Sequence, residues 1–135
     1  MATARSTGDH SKSRSSNRDK GRLGEETALR YLRKKGYSIV ELNYRCVFGE
    51  IDIIARDGYE LVFVEVKSRT SSRFGDPESS VDLKKQKKLS RSALHYLECR
   101  GVSDCNARFD VLAVTNTPEG MDIRHIINAF ESTFP

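Results

Sequence analysis

The sequence predicts an α/β domain in which a mixed sheet is flanked by helices. Three observations support this prediction: a first amphipathic helix, a run of three strands that contains an Asp-Gly turn, and a second helix that separates those strands from the last two. A helix commonly connects two parallel strands, whereas a tight hairpin joins antiparallel strands. The sheet should therefore contain both kinds of pairing, in the order α, β, β, β, α, β, β.

The first helix is predicted over residues 22–35. Glu25 and Glu26 favour the positively polarised end of a helix, and Gly36 follows a basic last turn, as is typical where a helix ends. The apolar positions that recur at helical spacing are Ala28, Tyr31 and Leu32. These features predict an amphipathic helix with one apolar face.

Residues 1–20 form a distinct segment ahead of this helix. They contain five Lys or Arg residues, two Asp or Glu residues, and no large aliphatic or aromatic residue after Met1. Such a segment cannot bury enough apolar surface to offset the entropy that is lost on ordering. We therefore predict a disordered basic arm, which either keeps the protein in solution or binds phosphates nonspecifically. One domain is expected to follow, over residues 21–135.

Composition restricts the function classes. The chain has 135 residues, of which 37% are hydrophobic and 31% charged, and its net charge is +4. This suits one domain, with a polyanionic partner if the basic side chains cluster on one face. No segment resembles a signal peptide or approaches the run of about 20 apolar residues that spans a membrane, so membrane and secreted proteins are not expected. The three cysteines lack CxxC spacing, which argues against a disulfide framework or a zinc site and favours a reducing cytoplasm.

The rest of the chain divides into strands and one further helix. The predicted elements, in chain order, are strands over residues 37–43, 49–56 and 60–69, a mobile loop over 70–80, a helix over 81–100, and strands over 108–114 and 121–125. The strands are rich in β-branched and aromatic residues, and the loop is rich in Ser, Gly and Pro. Asp57-Gly58 is a strong hairpin signal, and Gly101 is expected to end the second helix.

The hairpin over residues 49–69 carries the most informative side chains. A two-residue turn at Asp57-Gly58 would place Arg56 opposite Tyr59. The opposed pairs that follow are Ile54 with Leu61, Asp52 with Phe63, and Glu50 with Glu65. Because successive strand residues alternate between faces, four charged side chains share one face, namely Glu50, Asp52, Glu65 and Lys67. The other face is apolar and carries Ile51, Ile53, Ala55, Val62, Val64 and Val66.

The charged face has the composition of a divalent-metal site. Asp52 and Glu65 would lie diagonally across the ladder with their Cβ atoms about 7 Å apart, a distance that two carboxylates can bridge through one cation. Oxygen ligands suit Mg²⁺ or Mn²⁺, and Lys67 could then stabilise charge on a phosphate or orient a water molecule. The alternative is an ordinary solvated face of an antiparallel sheet. Apolar neighbours on the same face favour the metal site, because covered charges need partners. These neighbours are Phe48, Ile54, Leu61 and Phe63.

Five motifs extend this pattern beyond the hairpin. They are Gly24-Glu25 with Ala28 and Tyr31-Leu32, Asn43-Tyr44-Arg45, Gly49-Glu50-Ile51-Asp52, Phe63-Val64-Glu65-Val66-Lys67-Ser68-Arg69, and Arg108-Phe109-Asp110-Val111. Together they resemble the YraN-like family of uncharacterised bacterial proteins. That family belongs with the restriction-endonuclease-like PD-(D/E)XK superfamily and is similar to Holliday-junction resolvases. The match covers nearly all of residues 21–130 and implies an αβββαβ core.

The resemblance also implies roles for individual residues. The implied catalytic set is Glu25, Asp52, Glu65 and Lys67, and the implied ligands of Mg²⁺ or Mn²⁺ are Asp52, Glu65 and the Val66 carbonyl. Glu25 matches the additional acidic residue of resolvase-like members. Ile51 stands where the motif has proline, a departure that is common in the superfamily.

Other polar residues are assigned supporting or binding roles. Gln86 shares the buried face near the start of the second helix, where nuclease relatives often place a polar residue beside the metal site; solvation at a fraying helix end is the alternative. Glu50 is a supporting carboxylate. The residues expected to bind nucleic-acid phosphates are Arg45, Arg69, Lys84, Lys85, Lys87, Lys88 and Arg91. For the two arginines at the strand ends, simple solvation is the alternative.

The sequence thus predicts a metal-dependent endonuclease, a phosphodiesterase that acts on DNA, including branched or otherwise structured DNA. The first alternative is a nuclease-fold nucleic-acid-binding or adaptor protein without turnover, and the second is a protein-interaction domain. A homodimer is expected by analogy with resolvases, which cut two strands symmetrically. No helix-turn-helix or zinc-finger motif supports base-specific recognition.

Overall fold

Two helices and five strands make up the fold. The computed structural model describes residues 12–69, 81–102 and 105–132. The elements are α1 (Lys12–Lys34), β1 (Ser38–Cys46), β2 (Gly49–Asp57), β3 (Glu60–Arg69), α2 (Leu83–Cys99), β4 (Ala107–Thr117) and β5 (Gly120–Phe130). Their order is the predicted one, so the α/β class and the αβββαβ core are confirmed. The predicted loop over 70–80 lies outside the described residues.

The five strands form one mixed sheet in the order β1-β2-β3-β4-β5. The β3 and β4 strands are parallel, and the other neighbouring pairs are antiparallel. This follows from the connections, because α2 crosses between β3 and β4 whereas short turns join the other pairs. The strand in the centre, β3, therefore has an antiparallel neighbour on one side and a parallel neighbour on the other.

Each face of the sheet is covered by one helix. The buried cluster on the α2 side contains Tyr44, Ile51, Ile54, Leu61, Phe63, Val81, Leu89, Ala93, Tyr96, Phe109 and Val111. The buried cluster on the α1 side contains Ala28, Leu32, Tyr37, Ile53, Ala55, Val62, Val64, Leu112 and Val114. Both clusters include residues of β3, so both faces of this strand are covered over its first half. The polar side chains farther along β3 therefore lie directly next to a covered region. Among the described residues, no helix has the length and apolarity needed to cross a bilayer.

Helix α1 begins at Lys12, ten residues ahead of the predicted start at residue 22. Residues 12–20 of the predicted disordered arm are thus helical. Lys and Arg are good helix formers and no proline interrupts this stretch, so helical hydrogen bonding can propagate backwards from the turns that pack on the sheet. Residues 1–11 lie outside the described residues, and for them the arm stays a prediction.

The predicted pairing of the β2-β3 hairpin is wrong by two residues. Ile54 lies opposite Phe63 rather than Leu61, and the last pair before the turn is Asp57 with Glu60. The turn therefore consists of Gly58 and Tyr59, and the φ of +64° at Gly58 suits glycine in a tight hairpin. Because the shift is two residues and side chains alternate with a period of two, the shift itself leaves the predicted faces unchanged.

The alternation of faces in β2 is interrupted beside Asp52. Ile51 was expected on the face of Ile53 and Ala55, but it packs with the cluster on the α2 side. Its partner in β1 is Tyr44, which also belongs to that cluster. The preceding β1 residue, Asn43, has a φ of +51°, a left-handed conformation that bends the strand. The first residues of β2 consequently turn toward α2.

A buried network of ion pairs and hydrogen bonds around Asp110 connects β4 to β5. The carboxylate of Asp110 accepts hydrogen bonds from Arg108 Nε (3.0 Å), from the backbone N–H of Asn128 (3.0 Å), and from His125 Nε2 (2.7 Å). Burial alone would raise the pKa of this carboxyl, but the hydrogen bonds from His125, Arg108 and Asn128 outweigh it and lower the pKa below its ordinary value. Asp110 therefore stays ionised, and its charge is fully paired.

Replacing Asp110 with Ala should lower the free energy of unfolding by about 2–4 kcal/mol, because Arg108 Nε, His125 and the Asn128 N–H then lose a buried acceptor. Arg108 itself keeps its ion pairs with Glu60 and Asp57. Asp122→Ala is the matched control, since Asp122 is an exposed residue of β5 and should change stability by less than about 0.5 kcal/mol. Urea unfolding followed by circular dichroism measures both. Equal losses in the two variants would contradict a stabilising role for the network.

Candidate functional site

The candidate site lies where β2 and β3 separate. Their paired residues end at Ile53 with Val64. Beyond this pair, Oδ2 of Asp52 accepts a hydrogen bond of 2.8 Å from the backbone N–H of Val66. The side chain thus takes the place of a backbone acceptor, and the two strands remain joined while a gap opens between their main chains. Continuing the register would put Asp52 directly opposite Glu65, not diagonal to it as predicted.

Four carboxylates from three elements influence one another at this gap. Asp52 and Glu50 come from β2, Glu65 from β3, and Glu25 from α1. Burial and the charge of Glu65 raise the pKa of Asp52 to about 7, with smaller contributions from Glu25 and Glu50, although the Val66 hydrogen bond acts in the opposite direction. Burial and Glu50 likewise raise the pKa of Glu25. The predicted acidic set therefore comes together, and its members repel one another.

Two lysines surround the most buried of these carboxylates, Glu65, which is 6% exposed. Lys67 Nζ lies 3.6 Å from Oε2 of Glu65, and Lys85 Nζ lies 3.2 Å from the same oxygen. Lys67 was predicted at this position. Lys85 was assigned to phosphate binding, so its approach to Glu65 was missed. The sequence feature that could have indicated the position of Lys85 is Asp82, a residue type that commonly caps helices. Asp82 caps α2 by accepting a hydrogen bond from the Lys85 backbone N–H, which places Lys85 in the first turn.

The position of Glu25 depends on a close approach between α1 and β3. Gly24 packs against Ser68, and a Cβ built at Gly24 would collide with the Ser68 hydroxyl. Only a residue without a side chain allows this contact without a shift of one partner. Glu25 follows directly in the helix, while Lys67 directly precedes Ser68 in the strand. The contact therefore brings the part of α1 that carries Glu25 close to the part of β3 that carries Lys67.

The oxygen donors at the gap fit a hard divalent cation. Both backbone groups of a strand residue face the same neighbouring strand, so the Val66 carbonyl points to the side on which its N–H meets Asp52. The donor set is then the carboxylates of Asp52 and Glu65 with this carbonyl. Mg²⁺ is commonly held by one or two carboxylates together with waters and substrate phosphates. Within the described residues, no three His, Cys, Asp or Glu side chains are arranged to hold an ion by themselves.

The remaining predicted site residues lie around this gap or away from it. Gln86 Nε2 donates to the Val81 carbonyl (3.0 Å), which fixes the chain where it enters α2. Arg45 is largely exposed and its Nε lies 3.6 Å from Oε1 of Glu50. Arg69 is half-buried at the end of β3. The exposed cations of α2 are Lys84, Lys87, Lys88 and Arg91, which line a separate recess beside the β1-β2 turn.

Comparison with known proteins places the chain among relatives of similar length. A family model described as "Uncharacterised protein family UPF0102" matches residues 24–114. A UPF0102 protein of Syntrophus aciditrophicus (strain SB) is 53% identical over 114 residues, which cover 84% of this chain and 90% of the relative. One from Moorella thermoacetica is 50% identical over 97 residues, covering 72% and 81%. One from Geobacter sulfurreducens is 47% identical over 115 residues, covering 84% and 90%. The YraN-like resemblance is confirmed at this family level.

Replacing Asp52 with Asn should stabilise the protein at pH 8 in the presence of a chelator. The folded-state pKa of about 7 lies above the ordinary value of 3.8, so the unfolded state binds fewer protons between these values and the free energy of unfolding falls as pH rises through them. The asparagine side chain cannot ionise, so the gain over wild type should be at most about 4 kcal/mol at pH 8 and should vanish toward about pH 4.

Urea unfolding at several pH values measures this difference. Asp122→Asn is the matched control, because Asp122 is exposed and its replacement should give the same small effect at every pH. A gain for Asp52→Asn that did not change with pH would show that ionisation of Asp52 is not its cause.

Proposed function

The chain belongs to the UPF0102 family, and we propose that it is a metal-dependent phosphodiesterase that cleaves DNA, including branched or otherwise structured DNA. One observation carries the proposal: Asp52, Glu65 and Lys67 meet at the gap where β2 and β3 separate. Two acidic residues followed by a lysine at such a gap are what the PD-(D/E)XK resemblance implies. The proposal therefore includes membership of that superfamily.

The cost of this arrangement supports a functional role. Glu65 is almost fully buried but is paired with Lys67 and Lys85, whereas burial and then the charge of Glu65 raise the pKa of Asp52 to about 7. Like charges on neighbouring strands destabilise a sheet, and buried charges cost free energy unless they are paired. An ordinary solvated sheet face would carry no such cost. A bound cation would remove it, since it would attract the carboxylates that otherwise repel one another.

The residues divide the proposed chemistry among them. Asp52, Glu65 and the Val66 carbonyl would hold one or two Mg²⁺ or Mn²⁺ ions. A divalent cation bound there supplies a Lewis acid that activates water and offsets charge on the phosphate. Lys67 would donate to the attacking water or to the phosphate oxygen on which negative charge develops, and Glu25 would position water or an ion from the α1 side.

Binding of a polyanion is consistent with the exposed cations of α2, which would contact backbone phosphates. Symmetric cleavage of two strands needs two sites, so a homodimer is part of the proposal. The contacts to phosphates would position the substrate without selecting a sequence, in keeping with DNA structure as the recognised feature.

Replacing Lys67 with Ala should lower the rate of DNA cleavage by about 100-fold or more, because a donor to the developing charge is lost, while DNA binding is retained. Supercoiled plasmid and synthetic four-way junctions, incubated with Mg²⁺ or Mn²⁺, measure cleavage, and gel shifts with a chelator measure binding. Lys34→Ala is the matched control, since Lys34 is an exposed lysine at the end of α1.

Equal cleavage by wild type and Lys67→Ala would overturn the assignment of Lys67. Binding without cleavage by wild type on every substrate would favour the alternative, a nucleic-acid-binding or adaptor protein without turnover. The effect of added cation or DNA on the free energy of unfolding distinguishes the protein-interaction domain from the other two functions. A specific cation at 100 times its dissociation constant should add about 2.7 kcal/mol to the free energy of unfolding, whereas a protein-interaction domain would respond to neither cation nor DNA.

A further inference from the structure

A recess of about 360 Å³ lies between α2 and the turn of the β1-β2 hairpin. Its lining consists of four cations from the helix and two apolar residues from the turn, namely Lys84, Lys87, Lys88, Arg91, Val47 and Phe48. The four cations follow the spacing i, i+3, i+4 and i+7, which places them on one face of the helix. The recess therefore combines a continuous basic stripe with an apolar rim.

The positive charge of this stripe is not compensated within the described residues. All four side chains are exposed, and none has an ion-pair partner there. By contrast, Lys85 of the same helix pairs with Glu65, and Arg100 just after the helix pairs with Glu41. Like charges three and four residues apart destabilise a helix. An anion with several charges would relieve this repulsion.

The aromatic ring of Phe48 is held in place at the rim of the recess. It contacts the His95 ring edge-on, with ring centroids 6.2 Å apart, and His95 Nδ1 is hydrogen bonded to the Tyr44 hydroxyl. Phe48 nevertheless remains 40% exposed, and its neighbour Val47 is 86% exposed. A supported ring that faces water next to unpaired cations has the two components of a single-strand binding site: a phosphate track and a stacking platform.

We propose that this recess binds single-stranded DNA, with phosphates along the α2 cations and a base stacked on Phe48. The stripe rises about 10 Å along the helix, a length that about three phosphates of one strand cover. A duplex would satisfy the cations equally, but its bases are stacked on one another and offer Phe48 no free face. The apolar rim therefore favours an unpaired segment over a duplex.

This proposal deepens the proposed function and rests on it for the choice of DNA. Helix α2 connects the two regions, because Lys84 lines the recess while the adjacent Lys85 contacts Glu65. A strand seated along α2 would thus continue toward the gap between β2 and β3. Unpaired nucleotides next to a scissile phosphate occur in DNA that contains flaps, loops or gaps, and continuous duplex lacks them.

Tryptophan fluorescence tests the stacking directly. The chain contains no tryptophan, so Phe48→Trp introduces a single reporter at the rim. Adding oligo(dT) in the presence of a chelator should quench this reporter, while a duplex of the same length should quench it much less. Tyr59→Trp is the matched control, because Tyr59 is a 96% exposed aromatic residue at the turn between β2 and β3. Its fluorescence should not respond to oligo(dT).

Two further variants separate stacking from charge. Phe48→Ala should weaken oligo(dT) binding about tenfold and leave duplex binding unchanged, whereas Tyr59→Ala should change neither. Three phosphate contacts predict a slope of about −2 for log K against log salt concentration with a single strand. Lys88→Gln should make this slope shallower by about 0.7, and Lys34→Gln should leave it unchanged.

Equal quenching by duplex and single strand, or unchanged oligo(dT) binding by Phe48→Ala, would overturn the proposal. Tighter binding of oligo(U) than of oligo(dT) would overturn the choice of DNA. Because binding is measured without divalent cations, the two proposals fail separately. Quenching without any cleavage would count against the phosphodiesterase alone, and cleavage without oligo(dT) binding would overturn this inference alone.

Discussion

The hydrogen bond between the Val66 N–H and the Asp52 carboxylate is the interaction on which the site depends. An antiparallel pair normally continues until a turn or an edge, but here a side chain replaces the backbone acceptor and the ladder stops at Ile53 with Val64. The same bond orients the carboxylate and satisfies a strand N–H that would otherwise be unpaired. It also turns the Val66 carbonyl toward the gap. Because the Asp52 side chain takes the place of a main-chain acceptor, the gap between β2 and β3 opens and the Val66 carbonyl becomes an oxygen donor that faces it.

The charges at this opening are balanced unevenly. Glu65 has two lysines within 4 Å, whereas burial and the like charge of Glu65 raise the pKa of Asp52 to about 7. The sheet can tolerate this because the two hydrophobic clusters and the Arg108-Asp110 network stabilise it from both sides. Stability is therefore concentrated away from the site, and the site itself stays electrostatically unsatisfied. Active sites commonly show this division between a stable scaffold and a strained centre.

Much of the fold and the main acidic set could be predicted from the sequence, because strand alternation has a period of two. The hairpin pairing was wrong by two residues, yet Asp52 and Glu65 still come together, since an even shift preserves faces. The bend at Asn43, which moves Ile51 to the other cluster, could not be predicted, because asparagine tolerates ordinary strand conformations as well as positive φ. The contact of Lys85 with Glu65 and the place of Phe48 beside α2 depend on how the helix packs across the sheet. Packing of that kind leaves no periodic signal in the sequence.

The contact between Gly24 and Ser68 has a consequence for how the two halves of the site move. Only the short Ser68 side chain lies between the backbones of α1 and β3 at this point, so little soft material could absorb a displacement and the two elements should shift as one body. Thermal motion can then change the orientation of the acidic and basic groups together, but it cannot easily change their separation. Glycine at position 24 thus fixes the spacing between α1 and β3. A protein with a larger residue at this position would need an acidic side chain of a different length at position 25.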